Sequence, residues 1–252
     1  MTEQPAWLRG EDRFNGFMRF AHALTHVLSR VLISLTVEGL DRPWPREGPL
    51  IVVANHSSAL DAPLITGFLA PRLGRPIHWM VKEELTYDPV LGPIVRAYGS
   101  FGVHRSGVDT DAYRIARAVL ERGLVLASHP EGTRSRDGVL VRARSGLARL
   151  ALRSGAPILP VGVIGLERFL PRDTTLPRPF KRVGLRLGEP FTLAETGMPL
   201  PTDAADQRAA LEAATTGIMV RIGRLLPERQ WGAYDAELRA SMEVASAAAP
   251  TE

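Results

Sequence analysis

His56 and Asp61 stand five residues apart in the stretch Leu50-Ile51-Val52-Val53-Ala54-Asn55-His56-Ser57-Ser58-Ala59-Leu60-Asp61-Ala62-Pro63. An imidazole oriented by a carboxylate can take a proton from a hydroxyl and hold the charge it gains, as a general base must. In a straight helix five residues turn through about 140°, so the two side chains would not share a face. A non-helical turn through Ser57 and Ser58 brings the carboxylate back to the ring. The bland reading is a capping histidine with an unrelated surface aspartate. A second group is Glu131-Gly132-Thr133-Arg134. Its glycine lets backbone approach a ligand closely, and its hydroxyl and guanidinium supply donors suited to a phosphate. Read blandly, it is a turn with a surface salt bridge. His104 and Arg105 form a third polar group, equally compatible with a plain surface.

These groups fall where strands end. Leu50 to Ala54 is an apolar run that reads as a strand buried on both faces. Further strands are expected at Ile77–Val81, Ser100–Val103, Leu124–Ala127, Ile158–Gly165 and Val183–Leu187. Helices are expected at Leu64–Leu69, stopping before Pro71, at Asp109–Arg122 with Gly123 as its cap, at 142–153, at Ala204–Leu226 and at Tyr234–Val244. Val37 to Pro49 reads as a stiff connection, and Pro160 places its position at a sheet edge or bulge. Strands alternating with helices predict an α/β fold, a largely parallel central sheet covered by helices on both faces. Such sheets place ligands at the carboxyl ends of their strands, so all three polar groups can share one crevice.

Composition narrows the chemistry. The 252 residues suit one large α/β domain, and the absence of cysteine excludes disulfides, thiol catalysis and thiolate metal sites. Of the 31 basic side chains all but Lys82 and Lys181 are arginine, and the sequence pI is about 9.9. Arginine binds phosphate with a planar fork, so a phosphorylated small molecule or an acidic membrane surface is the expected partner. Nucleic acid is not expected: aromatics are only 6% and no zinc-finger or RNP-type signature occurs.

Residues 12–35 carry a helical stripe of Phe14, Phe17, Met18, Ala21, Leu24, Leu28, Val31, Leu32 and Leu35. Arg19, His22, His26, Ser29 and Arg30 fall opposite. Two readings follow: the stripe packs on the domain, or it dips into a bilayer while the cationic side meets anionic lipid. The charge-free runs Phe20–Ser29 and Val31–Val37 are shorter than the roughly 20 residues a membrane span needs. Acidic Glu3, Glu11 and Asp12 argue against a secretory signal. The expected organisation is an N-terminal amphipathic segment, 1–36, open to membrane association, and an α/β domain, 37–252, in a protein that is soluble or lies on a membrane without spanning it.

Taken together, Asn55 to Asp61 resembles the His-x4-Asp block of the glycerolipid (lysophosphatidic acid) acyltransferases, the PlsC-like family. Gly99-Ser100-Phe101-Gly102-Val103-His104-Arg105 looks like the second block of that family, Pro130-Glu131-Gly132-Thr133-Arg134-Ser135 like the third, and Ile158-Leu159-Pro160-Val161 like the fourth. Val81 to Leu85 resembles the usual connector, and the blocks stand in the family's order. His104 departs from the pattern, standing where Asp or Asn is usual. The resemblance implies that His56 removes the proton of an acceptor hydroxyl, which attacks an acyl-CoA or acyl-carrier-protein thioester, with Asp61 orienting the ring. Arg105, Glu131, Gly132, Thr133 and Arg134 would hold the phosphate of lysophosphatidate or glycerol 3-phosphate. Pro160 would shape the pocket or acyl passage, and neither metal nor other cofactor is implied. A metal-dependent hydrolase and a non-catalytic lipid-binding protein are the competing readings; the first lacks an HExxH pattern.

Overall fold

In the computed structural model the described residues are 13–89, 91–104, 109–196 and 204–247. Seven strands form one sheet in the order β1-β7-β6-β2-β5-β3-β4. They are β1 (Ile33–Glu38), β2 (Leu50–Ala54), β3 (Ile77–Lys82), β4 (Phe101–Val103), β5 (Val125–Ser128), β6 (Ile158–Ile164) and β7 (Lys181–Leu187). The fold is α/β with a mostly parallel sheet, as the alternating pattern predicts. β6, β2, β5, β3 and β4 run one way. β7 is antiparallel to β6 and carries β1 parallel to itself. The first residues of β1 and β7 therefore lie at the edge where β2 and β5 end.

β2 sits at the centre, and all five of its residues are fully buried. Ile51 and Val53 face a core shared with α5 (Thr110–Glu121), α6 (Gly146–Ser154), α8 (Ala204–Gly223) and Leu238 of α9 (Asp235–Ala247). Leu50, Val52 and Ala54 face the other core, lined by α2 (Asp61–Leu73). Fully burying each Val, Leu or Ile contributes about 1.5–3 kcal/mol, so a charge in this run is not tolerated. Pro160 is not at a sheet edge. It pairs with Val53 inside the sheet, and its carbonyl accepts from Gly188 N–H at 2.9 Å, just where β7 has ended. The imide nitrogen thus costs no ladder bond.

Three further local expectations change. The N-terminal helix α1 covers Gly16–Leu32, capped by Asn15, whose Oδ1 accepts from Met18 N–H at 2.8 Å. It ends earlier than residue 35 because Ile33-Ser34-Leu35-Thr36-Val37 alternates, the outward residues exposed, and forms edge strand β1 instead of a connection. The boundary expected at residue 36 falls inside that strand. α2 continues through Pro71 to Gly74, a left-handed cap. Proline leaves the Gly67 carbonyl without its helical donor, and the His26 ring hydrogen-bonds it instead. Finally, two short helices, α3 (Glu84–Tyr87) and α4 (Leu91–Ala97), fill a Pro- and Gly-punctuated stretch that carries no helical period. A last short helix, α7 (Leu166–Phe169), follows β6.

The docking of α1 divides the expected stripe: Met18 is buried against the domain while most of the other apolar residues face out. Part of its polar side faces the protein: His22 and Ser29 are buried, and the His26 ring lies tilted against Phe68 with centroids 4.1 Å apart, while Arg19 and Arg30 stay exposed. Burial lowers the pKa of both histidines, so they hold no charge for lipid at neutral pH. The rest of the apolar side faces largely outward, with Phe20 64% and Val31 61% exposed and Phe17, Leu24, Val27 and Leu28 beside them. A Cβ on Gly67 would come within 2.6 Å of Thr25 Cγ2, so the two helices touch at backbone distance. Gly67→Ala is expected to destabilise the fold by about 1–3 kcal/mol in urea unfolding, as overpacking does. Thr25→Ala in the same chain should recover part of that loss, and a cycle without coupling would refute this contact.

Candidate active site

Beyond Ala54 the chain stops pairing and turns. Asn55 prolongs the sheet through its side chain: Nδ2 donates to Val163 O at 2.8 Å and Oδ1 accepts from Val163 N–H at 2.7 Å. This fixes where His56 leaves the sheet. Ser57 and Ser58 then form the non-helical turn, and Asp61 opens α2 with its carboxylate pointing back. Asp61 Oδ2 accepts from Ser57 N–H at 2.7 Å and Ser58 N–H at 2.8 Å, while Oδ1 accepts from Ser57 Oγ at 3.1 Å. The same Oδ2 lies 2.9 Å from His56 Nδ1. Asp61 is 0% exposed, whereas the His56 side chain keeps 15% of its surface. Burial pushes the Asp61 carboxyl up to about 6, opposed by the Ser58 and Ser57 donors. With Nδ1–H given to Asp61, the neutral imidazole carries its lone pair on Nε2, the atom a hydroxyl proton would reach.

The 129–135 loop clamps the backbone of that histidine. Glu131 Oε1 accepts from His56 N–H at 2.7 Å, and Ser135 N–H donates to the His56 carbonyl at 2.8 Å. The second Glu131 oxygen accepts from Val141 N–H at 2.9 Å. Glu131 is therefore turned inward and buried, and it holds backbone rather than a phosphate. Burial pushes its carboxyl up to about 8 against those two donors. Gly132 has φ +67°, a turn closed by its N–H on the His129 carbonyl at 3.0 Å. Thr133 and Arg134 are half-buried at the rim, and the carbonyl of Arg134 accepts from Arg172 Nη1 at 2.7 Å. Pro160 packs on Gly188 in the β6–β7 seam, three residues short of the Asn55–Val163 pair, so it shapes the sheet rather than the site. Arg105 lies outside the described residues. His104, its neighbour, pairs with Glu83 at 2.5 Å, and its N–H donates to Asp109 Oδ2 at 2.6 Å.

One residue of the site carries no role in the sequence reading. His129, at the end of β5, stacks on His56 with centroids 4.0 Å apart and planes 4° apart, and Trp79 stacks on its other side at 4.9 Å. Its Nδ1–H donates to the Ala54 carbonyl at 3.1 Å. Burial and the neighbouring His56 charge push its pKa down to about 3, so it is a neutral ring that packs one face of the base. A histidine at a predicted strand end was the available signal. His56, Asp61 and His129 are also close enough to suggest a metal group. A metal lies in the plane of each imidazole it binds, and two rings stacked in parallel planes have no common point for it. Without rotation of a ring the cluster does not fit a metal.

Asp61→Asn preserves the shape and the acceptor at Oδ2 but removes the charge. It is expected to lower turnover by about 10²-fold or more. In the unaltered protein kcat/KM should fall as pH drops below about 6, where Asp61 takes up a proton; a pH–rate profile of both proteins checks this. Glu131 holds its proton more tightly folded than unfolded. Stability through this group is full below its ordinary value of 4.5 and is lost as pH rises through about 8. Melting temperature followed across that window should fall less steeply for Glu131→Gln than for the unaltered chain.

Comparison with known proteins places the chain in a family. Residues 34–164, more than half of the chain, match the family model described as Acyltransferase. A 1-acyl-sn-glycerol-3-phosphate acyltransferase of Limnanthes douglasii is 33% identical over 64% of this chain and 58% of its own length. A chloroplastic enzyme of the same name from Arabidopsis thaliana is 24% identical over 61% of this chain and 43% of its own. The chain thus spans about half the length of the curated relatives it matches. The crystal structure of the 1-acyl-sn-glycerophosphate (LPA) acyltransferase PlsC from Thermotoga maritima superposes with a TM-score of 0.60 at 27% identity, covering 80% of this chain and 78% of that one. The matched residues take in the His56–Asp61 turn and the Pro-Glu-Gly-Thr-Arg loop that clamps it, and the chain belongs to the acyltransferase family.

Proposed function

We propose that this protein transfers a fatty acyl group from acyl-CoA or acyl-carrier protein to the free hydroxyl of lysophosphatidic acid, giving phosphatidic acid. The observation that carries the reading is the 2.9 Å contact between His56 Nδ1 and an Asp61 with no exposed surface. In this reaction Nε2 takes the hydroxyl proton as that oxygen attacks the thioester carbonyl carbon. The tetrahedral adduct collapses, the C–S bond breaks, and the imidazolium returns the proton to the thiolate. Asp61 stabilises the imidazolium, and His129 and the Glu131 and Ser135 contacts keep the ring in place. No covalent acyl-enzyme is needed, consistent with the absence of cysteine. Arg134 at the rim would meet the acceptor phosphate, and Arg105 would join it.

The acceptor is a lipid, so the enzyme must reach it at a bilayer. Among the described residues no helix is long and apolar enough to cross a membrane. The outward apolar side of α1, continued by exposed Leu91 and Ile94 of α4, would instead lie in the interface, on the inner face of the cell membrane. Arg13, Arg19 and Arg30 stand exposed at its flanks, each worth about 1 kcal/mol near an anionic surface.

The test is to supply acyl-CoA and a panel of lysolipids and glycerol 3-phosphate, and to weigh the products. Lysophosphatidate should be acylated, with His56→Ala slower by about 10²–10⁴ at an unchanged melting temperature. Arg134→Ala should weaken acceptor use by roughly tenfold to a hundredfold while donor kinetics stay put, and lysine should replace it poorly. Wild-type turnover in folded His56→Ala would overturn the mechanism. A different acylated product would move the acceptor.

A further inference from the structure

The outward stripe of α1 is not the only apolar surface at the catalytic edge. Between α7 and β7 the chain runs Pro171-Arg172-Asp173-Thr174-Thr175-Leu176-Pro177-Arg178-Pro179-Phe180, and Leu176 is 78% and Phe180 80% exposed. Phe180 has φ +60° and is the one non-glycine residue with positive φ among the described residues. A bulky side chain is disfavoured in that region, and here no packing compensates. One short loop thus carries two exposed large apolar side chains, one of them in a strained backbone.

The loop is held rigidly. Leu170 O accepts from Ser58 Oγ at 3.0 Å, beside the base, and Arg178 N–H donates to Phe169 O at 2.7 Å. Arg172 reaches the Arg134 carbonyl, and Phe180 N–H donates at 2.6 Å to the carbonyl of Leu32, the last residue of α1. Pro177 and Pro179 stiffen the tip between these anchors. Thus the apolar tip is tied on one side to the catalytic turn and on the other to the helix that carries the outward stripe. Its charges point to the kind of partner. Arg178, Lys181 and Arg182 flank Phe180 within three residues in sequence, and Arg30 lies in the last turn of α1. An apolar tip flanked in sequence by Arg178, Lys181 and Arg182, against the single acidic Asp173, is complementary to an anionic lipid surface, and less so to a second copy of a chain whose formal charge is already +4.

We propose that residues 171–182 form a second membrane contact at the mouth of the site, in which Leu176 and Phe180 enter the acyl boundary while Arg178, Lys181 and Arg182 rest on anionic head groups. This rests on the membrane seating given above and adds a specific place and lipid class to it. Two contacts, one along α1 and one at the mouth, fix the tilt of the enzyme, so the rim bearing Arg134 meets head groups while His56 stays within reach of the acceptor hydroxyl.

The test uses the full chain and vesicles of phosphatidylcholine, alone or mixed with phosphatidylglycerol, in co-sedimentation. Phe180→Gly suits the backbone conformation, so its melting temperature should equal or exceed that of the unaltered protein, while binding to mixed vesicles falls about tenfold. Arg178→Gln/Lys181→Gln/Arg182→Gln should bind pure phosphatidylcholine as before and lose its preference for phosphatidylglycerol. Phe20→Ser/Val27→Ser provides the comparison for α1. If that variant alone loses binding while Phe180→Gly keeps it, the loop contact is refuted and the α1 seating stands. If the unaltered chain sediments with neither vesicle, the membrane seating itself fails. Sedimentation velocity without lipid covers the other occupant: a dimer that Phe180→Gly dissociates would replace the bilayer with a second copy.

Discussion

Two buried carboxylates, Asp61 and Glu131, set the terms for everything near the base. A carboxylate out of water must find donors for its oxygens or give up its charge. Asp61 takes Ser57 N–H, Ser57 Oγ, Ser58 N–H and the His56 ring; Glu131 takes the N–H groups of His56 and Val141. Satisfying both leaves His56 little freedom, since its ring is fixed from one side and its backbone from the other. The stack with His129 and Trp79 removes the rotation that remained. Preorganisation here is a by-product of hydrogen-bond accounting in a dry place.

The reversal of β1 and β7 has a comparable reach. Had those strands run with the rest, α1 would end, and the α7–β7 loop would tip, at the opposite edge of the sheet. Because they run against it, the last turn of α1, the Phe180 tip and the catalytic turn all share one edge. The sheet brings these segments together by topology.

The inward orientation of α1 follows from what it meets. Gly67 allows backbone-close approach at Thr25, and Pro71 leaves a carbonyl for His26 to hydrogen-bond. A leucine face could satisfy neither, whereas a face of Thr, His and Ser can. Most of the apolar residues, Phe17, Phe20, Leu24, Val27, Leu28 and Val31 among them, are then displaced outward. The helical period was visible in the sequence, but which side docks depends on the neighbour.

Much of the site was legible from residue types alone. The all-apolar run Leu50–Ala54 could only be a central strand, the serines after it favour a turn, and a turn is what lets residues 56 and 61 meet. The four ordered blocks told the family, since few other arrangements combine them. Local pattern failed where two structures share one period. Ile33 to Val37 continues the helical stripe yet alternates as a strand, and only the vacant edge of β7 decided between them. Glu131 and Pro160 stand in recognisable motifs, but which way a carboxylate turns, or which side of a strand lacks a partner, is fixed by chains distant in sequence. His129 offered a titratable ring at a strand end and nothing more; its role exists because β5 lies next to β2, a pairing between residues some 75 apart. What the sequence by itself determined was the kind of groups and the elements that carry them. What only the tertiary structure decided was orientation, because burial and hydrogen bonding are satisfied between elements, not along them.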